Sequence, residues 1–300
     1  MTPRAPRNAA RDSLARARAF LSQNARLLER LRFEYLFDRA SPGPALHALS
    51  AYQNADGGFG HALEPDLRGV ESEPIPVWTA LGILDELGAM RGPALTAALR
   101  YMAKAEVSGG GLPFVFPVAS RSPHAPWWET GPGRVRGSLN PTAGIAAYLY
   151  KNRIRSPWLT QAGAWCWDRI DRLGDANPYE LRVILAFLDR SPDRRRAAES
   201  LERLRPLIRT GKVVELDANK ESDAFRPLDF APTPGLLSRS LFTEEEISAH
   251  LDKIVGDQRP DGGWGVNFPI WTPITRFEWE GVQTLEMLKL LRMHGRLGHF

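Results

Sequence analysis

The 300-residue chain holds a single cysteine, Cys166, and that scarcity removes two kinds of chemistry at once. One thiol cannot close an intramolecular disulfide. Nor can it furnish a zinc site built on several thiolates. Long apolar runs are also missing: no stretch approaches the ~18–20 consecutive apolar residues of a membrane-spanning helix. The opening MTPRAPRNAARDSLARARAF lacks the apolar core and small-residue cleavage site of a secretory signal. It is read as part of the fold, in a reducing, cytoplasmic setting. Charge of one sign does not dominate, the formal net charge being +4. With mixed charge and no recognised motif, nucleic acid is not an expected partner, and membrane contact is not predicted. Residues 1–40 carry nine Arg against four acids. This is read as a solvated helix face, with an anionic partner as the alternative. The excess of Arg over Lys fits a GC-rich, bacterial genome.

Strand patterns are scarce too; what the sequence has is helices and a repeat. Gln53-Asn54-Ala55-Asp56-Gly57-Gly58-Phe59-Gly60 matches Gln258-Arg259-Pro260-Asp261-Gly262-Gly263-Trp264-Gly265, with the shared pattern Q-x-x-D-G-G-[FW]-G. Gly109-Gly110-Gly111-Leu112-Pro113-Phe114 is a weaker echo. Apolar residues at three- and four-residue steps predict helices near 10–37, 43–53, 75–88, 92–105, 140–152, 157–173, 177–189, 193–209, 234–242, 244–257 and 276–294. The first has a break in its middle, and Thr243 before three glutamates marks a start. Short turns alternate with long connections at about 54–74, 106–139, 210–233 and 258–275. If the helices alternate between an inner and an outer layer, every long loop leads into an inner helix, and the four converge on one mouth.

The repeat resembles the QW-type repeat of the terpene cyclase and prenyltransferase superfamily, which includes the squalene and hopene cyclases and the protein prenyltransferase β-subunits. Two full copies and one degenerate copy carry the likeness, and the helical alternation extends it over most of the chain. It implies an all-α fold, an α/α toroid (α6/α6 barrel) of helical hairpins in one domain over residues 1–300. The chain would be a divergent single-toroid member. Gln53, Phe59, Gln258 and Trp264 would tie neighbouring hairpins together. The paired glycines serve backbone conformations closed to other residues, and Asp56 and Asp261 turn the chain.

The likeness stops short of a reaction, because one fold hosts many functions. The D-x-D-D motif of alkene-protonating cyclases is missing, as is the diphosphate-ionising D-D-x-x-D. The zinc-binding prenyltransferases place an Asp two residues before a Cys. Cys166, in Ala164-Trp165-Cys166-Trp167-Asp168, has no such acid and is read as a packed thiol. No metal-ligand spacing is found, and no cofactor is expected.

Candidate site residues come from the long loops. Glu64 and Asp66 flank Pro65, which stiffens their separation, and such a pair can divide acid and base roles. With Asp229 and Glu278 they form the candidate catalytic set. His61 and Arg68 lie beside them. Trp127, Trp128 and Glu129 come from the second loop, where adjacent tryptophans cannot both face one core and one is expected at the mouth. Trp271, Arg276 and Glu280 come from the last. These eight are the candidate substrate-binding residues. Glu278 and Glu280 are placed in the first turn of the final helix, where its dipole alone would explain them.

Three functions fit these residues, and whether the chain is catalytic stays open among them. One is an enzyme acting on an isoprenoid-like or other apolar substrate in the toroid cavity. The second is a carbohydrate-active α/α toroid using a carboxylate pair, and the third a non-catalytic binding or scaffold module. The partner is a small apolar or sugar-like molecule. Changing Glu64 to Gln together with Asp66 to Asn is expected to abolish activity while thermal unfolding stays nearly unchanged. A large drop in melting temperature would assign the pair to capping instead.

Overall fold

A computed structural model of the chain describes residues 7–131, 133–210, 212–222 and 224–297, with side chains from residue 12. The described residues form twelve α-helices, three short 3-10 turns and no strand beyond isolated bridges. No helix among them is long and apolar enough to cross a membrane. Contacts divide the chain into two compact units, Met1–Ala45 with Gly211–Phe300, and Leu46–Thr210. Helix α3 (Gly43–Ser50) crosses the boundary.

The unit Leu46–Thr210 contains α4 (Pro74–Glu86), α5 (Pro93–Ala105), α6 (Leu139–Lys151), α7 (Pro157–Asp171), α8 (Pro178–Arg190) and α9 (Arg194–Ile208). Proline opens four of these helices, at a position whose N–H would lack a partner in any case. Ser156, Asn177 and Asp193 cap the starts of α7, α8 and α9. Helix α6 packs on α4, α7 and α8 and is buried round most of its circumference, as its run Thr142-Ala143-Gly144-Ile145-Ala146-Ala147 requires. Gly144 lets the indole of Trp78 approach the α6 backbone, because a Cβ there would overlap the ring. Cys166 is fully buried mid-helix in α7, and burial pushes its thiol pKa up, as the packed reading expects.

The other unit holds α1 (Arg7–Asn24), α2 (Leu27–Asp38), α10 (Pro227–Phe230), α11 (Glu244–Gly256) and α12 (Pro273–Met293). The break expected in the first helix falls at residues 25–26. Arg18 on α1 pairs with Asp38 at the end of α2, and α12 packs on α1, α2 and α11. The Thr243 start is a full capping box: the Glu246 amide donates to Thr243 Oγ1 (3.1 Å) and the Thr243 amide to the Glu246 carboxylate (2.8 Å).

Two expectations need correction. No α-helix spans 234–242; the chain makes the short α10 and then a 3-10 turn at Leu237–Leu241. Pro232, Pro234 and Gly235, the last with φ +77°, leave too few consecutive residues for an α-helix. Helix α12 starts at Pro273, after a Thr272 cap that accepts from the Thr275 amide, not at 276. Glu278 and Glu280 therefore lie beyond the first turn, and the dipole explanation offered for them lapses.

All three repeat copies fold into one turn. The Gly57, Gly110 and Gly262 amides donate to the carbonyls of Asn54, Val107 and Arg259, each at 2.9 Å. The return bonds run from those three residues' amides to Gly58, Gly111 and Gly263. The middle glycines have φ of +94°, +89° and +93°. Asp56 and Asp261 accept from the following Gly58 and Gly263 amides (2.8 and 2.9 Å). Each turn is seated on a helix: a Cβ on Gly57 would overlap the Ala97 carbonyl of α5, one on Gly110 the Trp165 ring of α7, and one on Gly262 the Arg16 carbonyl of α1. Gly57→Ala thus combines left-handed strain with a backbone clash, and is expected to cost about 2–4 kcal/mol. Gly88, at φ +68° with open space around it, meets strain alone. Gly88→Ala should cost about half as much in urea unfolding; equal losses would show that the seat on α5 does not matter.

Candidate functional site

The first repeat builds the base of a loop, and the loop carries the acids. From Gly60 the chain makes a compact excursion that returns at Glu71, as an Ω-loop does. Its neck is closed by the His61 amide on the Gly69 carbonyl (2.8 Å) and the Gly60 amide on the Tyr52 carbonyl (3.0 Å). His61 and Ala62 turn it, at φ +56° and +61°. The repeat holds the returning limb as well. Asn54 Nδ2 donates to the Val70 carbonyl (2.8 Å) and Ser72 Oγ (3.0 Å), Ser72 Oγ donates to Asp56 (2.7 Å), and the Glu73 amide donates to the Phe59 carbonyl (2.9 Å). Tyr101 of α5 donates its hydroxyl to the Ser72 carbonyl (2.9 Å).

The second long loop lies against this excursion. The Arg68 amide donates to the Pro123 carbonyl (3.1 Å) and the Ala125 amide to the Asp66 carbonyl (2.9 Å). Within this unit the first two long loops therefore meet. The second loop is not structureless: it winds 3-10 turns at Pro117–Arg121 and Pro126–Trp128.

The expected residues fall into distinct places. Glu64 and Asp66 are both buried within the excursion, Asp66 almost completely at 2% exposure. His61 is exposed and its Nε2 meets Asn54 Oδ1 (2.8 Å). Arg68 donates back to the Pro65 carbonyl (3.1 Å). The adjacent tryptophans divide: Trp128 is buried and stacked on Phe114 (ring centroids 4.8 Å), while Trp127 is 44% exposed. Glu129 is exposed and pairs with His124 (2.8 Å). The His124 pKa is raised, by the Ser122 carbonyl on its Nδ1 and then by Glu129.

The remaining five belong to the other unit. Asp229, half-buried, accepts from the Arg226 amide at the start of α10 (2.6 Å). Arg276 is exposed on α12, while Glu278 and Trp271 are half-buried. Glu280 is buried and takes both Arg259 guanidinium nitrogens (2.8 and 3.0 Å), tying α12 to the second repeat. That bidentate pair gives Glu280 a structural partner.

One acid with altered chemistry was not among those expected. Glu73, 2% exposed, stands at the N-cap of α4, and one carboxylate oxygen, Oε2, accepts the Phe116 amide (2.8 Å). Its other oxygen is buried with no hydrogen-bond partner, as is Oε2 of the nearby Glu71. The two carboxyls line a tight crevice with Leu67, Pro76 and Ala119, closed so far that it has no room for a water molecule. Burial pushes the Glu73 pKa up to about 8. The Phe116 amide pulls against that, and the Glu71 charge adds to it. The signal in the sequence is Glu71-Ser72-Glu73-Pro74: two acids one residue apart, directly before a proline that opens a helix.

A buried carboxyl that keeps its proton near neutrality can act as a general acid. Among the described residues no group of three or more His, Cys, Asp or Glu side chains is placed to hold a metal ion. No protein-family model, curated protein or solved structure matches the chain.

The Glu73 proton has a thermodynamic consequence. Its folded pKa of about 8 lies above the ordinary 4.5, so the folded state holds a proton that the unfolded chain releases. The Glu73 contribution to stability is fully present below pH 4.5 and is lost as pH rises toward 8, by a few kcal/mol. Glu73→Gln should remove this slope, leaving the urea midpoint nearly flat across that window. A variant whose midpoint still tracks the wild-type slope would place the titrating group elsewhere.

Proposed function

We propose that the chain is an acid-catalysing enzyme of the terpene cyclase and prenyltransferase type, with Glu73 as the proton donor. Its substrate is an isoprenoid-like or other apolar molecule. The observation that carries this reading is the Glu73 carboxyl, buried, with one oxygen unpartnered and a raised pKa. The cyclases of this superfamily use an acid held neutral by an apolar site. Glu73 would fill that role from outside the D-x-D-D pattern, at the start of the helix that follows a repeat. In the chemical step its O–H proton forms a new C–H bond on an alkene carbon, leaving a cation on the adjacent carbon. Water or loss of a neighbouring proton then quenches the cation. The stacked Phe114 and Trp128 rings in the adjoining loop are the kind of surface that stabilises such a charge.

The toroid belongs to the same proposal. Each repeat turn seats on a helix, the first on α5 and the degenerate one on α7. Each of those is the second helix after its turn. The last turn is followed by α12 alone among the described helices, and it seats on α1. A ring closed by the first helix would produce that arrangement.

A carbohydrate-active reading is favoured by one observation, the juxtaposition of Glu71 and Glu73 with the exposed Trp127 nearby in sequence to the Phe114–Trp128 stack. One experiment separates the readings. The protein is incubated in deuterated buffer with linear polyprenes and, separately, with an oligosaccharide panel. The proposal expects deuterium in the polyprene product and a loss of about 10²–10⁴-fold in Glu73→Gln. Release of reducing ends from the oligosaccharides would replace it with the sugar reading. No turnover of either class would reduce the chain to a binding module.

A further inference from the structure

At the far end of α4 lies a second feature, which does not depend on the Glu73 reading. The turn from α4 to α5 and the turn from α6 to α7 border an open cleft of about 390 Å³. With 13 residues in α4, the cleft is roughly 20 Å from the acid crevice. That volume falls within the range of small-molecule sites.

The lining has one sign of charge. Arg91, Arg153 and Arg155 stand around the cleft, and among the described residues no acid lines it. Among the described residues, Arg153 and Arg155 make no side-chain hydrogen bond or ion pair, and Arg91 has only a long contact to the Asn152 carbonyl (3.4 Å). Asp85, the acid that meets this turn, is occupied by Lys151 (2.6 Å) and Asn152 (2.8 Å). Arg153 also occupies a left-handed helix-end position, φ +54°, where glycine is the usual residue. Cations left without counter-charges on adjoining turns repel one another, and an anion between them removes that cost.

Two further observations define the anion. Helix α5 begins at the cleft, and its N-cap, Gly92, offers no side-chain cap. Pro93 has no N–H, so the Ala94 and Leu95 amides are the ones available to an oxyanion. Met90, Leu95, Leu99 and Ile154 make an apolar wall, which Gly92 and Thr96 complete. Arginine forks with helix amides select phosphate oxygens, and the apolar wall accommodates a hydrocarbon stem.

We infer that this cleft binds a phosphate or diphosphate ester carried on an apolar stem. The shared chemistry belongs equally to a soluble alkyl phosphate and to a phospholipid headgroup. Both are tested with the full chain. Calorimetry uses octyl phosphate below its micelle concentration, octyl glucoside and inorganic phosphate; co-sedimentation uses phosphatidylcholine vesicles with and without phosphatidic acid. Octyl phosphate, or the phosphatidic acid vesicles, should bind saturably, and more weakly as salt rises. Arg153→Gln with Arg155→Gln should weaken that binding about tenfold or more. These side chains are solvent-exposed, so the variant is expected to keep its circular dichroism and melting temperature. The arm that responds identifies the source. Glu73→Gln should leave the binding intact, which separates this site from the acid crevice. Equal affinity for octyl glucoside, unchanged binding in the arginine variant, or no saturable binding in either arm would overturn the inference.

Discussion

A glutamine amide has two N–H donors, and at Gln53 and Gln258 both are used on carbonyls that belong to different parts of the chain. One bond closes the residue's own turn, to Gly57 (3.0 Å) or Gly262 (2.8 Å). The other reaches a neighbouring helix, to Ala94 of α5 (3.0 Å) or Ser13 of α1 (2.9 Å). The turn and the helix joint are therefore one object. Each bond contributes only about 1 kcal/mol, but leaving either carbonyl without a donor where it is buried costs more than the bond gains. The glycines follow from the same constraint, since only a left-handed residue with no Cβ brings the turn this close to a helix carbonyl. In the degenerate copy Glu106 replaces the glutamine and Gly109 the aspartate. The joint persists by other means: Trp165 Nε1 donates to the Gly109 carbonyl (2.9 Å). Leu112 and Trp264, which follow the glycines, both donate their amides to a threonine on the next helix, Thr142 (2.9 Å) or Thr284 (3.0 Å).

The same joint fixes the acid crevice. Asp56, which both full copies share, and Asn54, at a variable position, hold Ser72 and Val70 on the returning limb. The second copy has Arg259 where the first has Asn54, and Arg259 reaches Glu280 instead. One turn geometry thus supports two outcomes: an acid neutralised by a guanidinium in one unit, and an acid left with an unpartnered oxygen in the other. At this interior position the two copies differ, Asn54 in one and Arg259 in the other.

What was legible in the sequence is what local chemistry determines. Gly57 and Gly262 announced the turn because glycine alone takes its left-handed position without strain, and the Gln–Asp spacing marked the two full copies. Pro74, Pro93, Pro157 and Pro178 mark helix starts for the same reason. The 234–242 segment misled because its apolar spacing is helical while Pro232, Pro234 and Gly235 truncate it, so backbone restriction outweighed periodicity. Glu280 was legible as an acid near a repeat but not as Arg259's partner, because that pairing spans 21 residues. Glu73 was hidden for a deeper reason. Before a proline-led helix a glutamate reads as an ordinary N-terminal acid, and only the approach of the Phe116 segment, more than 40 residues away, closes it off from water.

Its protonation is the outcome of a contest whose sides can be weighed. The α4 dipole favours a carboxylate at the N-cap by about 0.3–2 kcal/mol, and the Phe116 amide favours it by about 1.5–3 kcal/mol. Against them stand burial and the Glu71 charge. A pKa of about 8 in place of 4.5 means that the opposing side wins by about 5 kcal/mol. Taking a carboxylate out of water costs several kcal/mol even after the protein relaxes, so desolvation is large enough to decide the contest. The balance is also conditional. Any opening between the Gly60–Glu71 excursion and the Phe116 segment would admit water to both carboxyls. The cost of charging Glu73 would fall, while the helix dipole would remain. The neutral acid is therefore a property of the two loops being closed on each other, and access to the crevice and release of its proton are physically coupled.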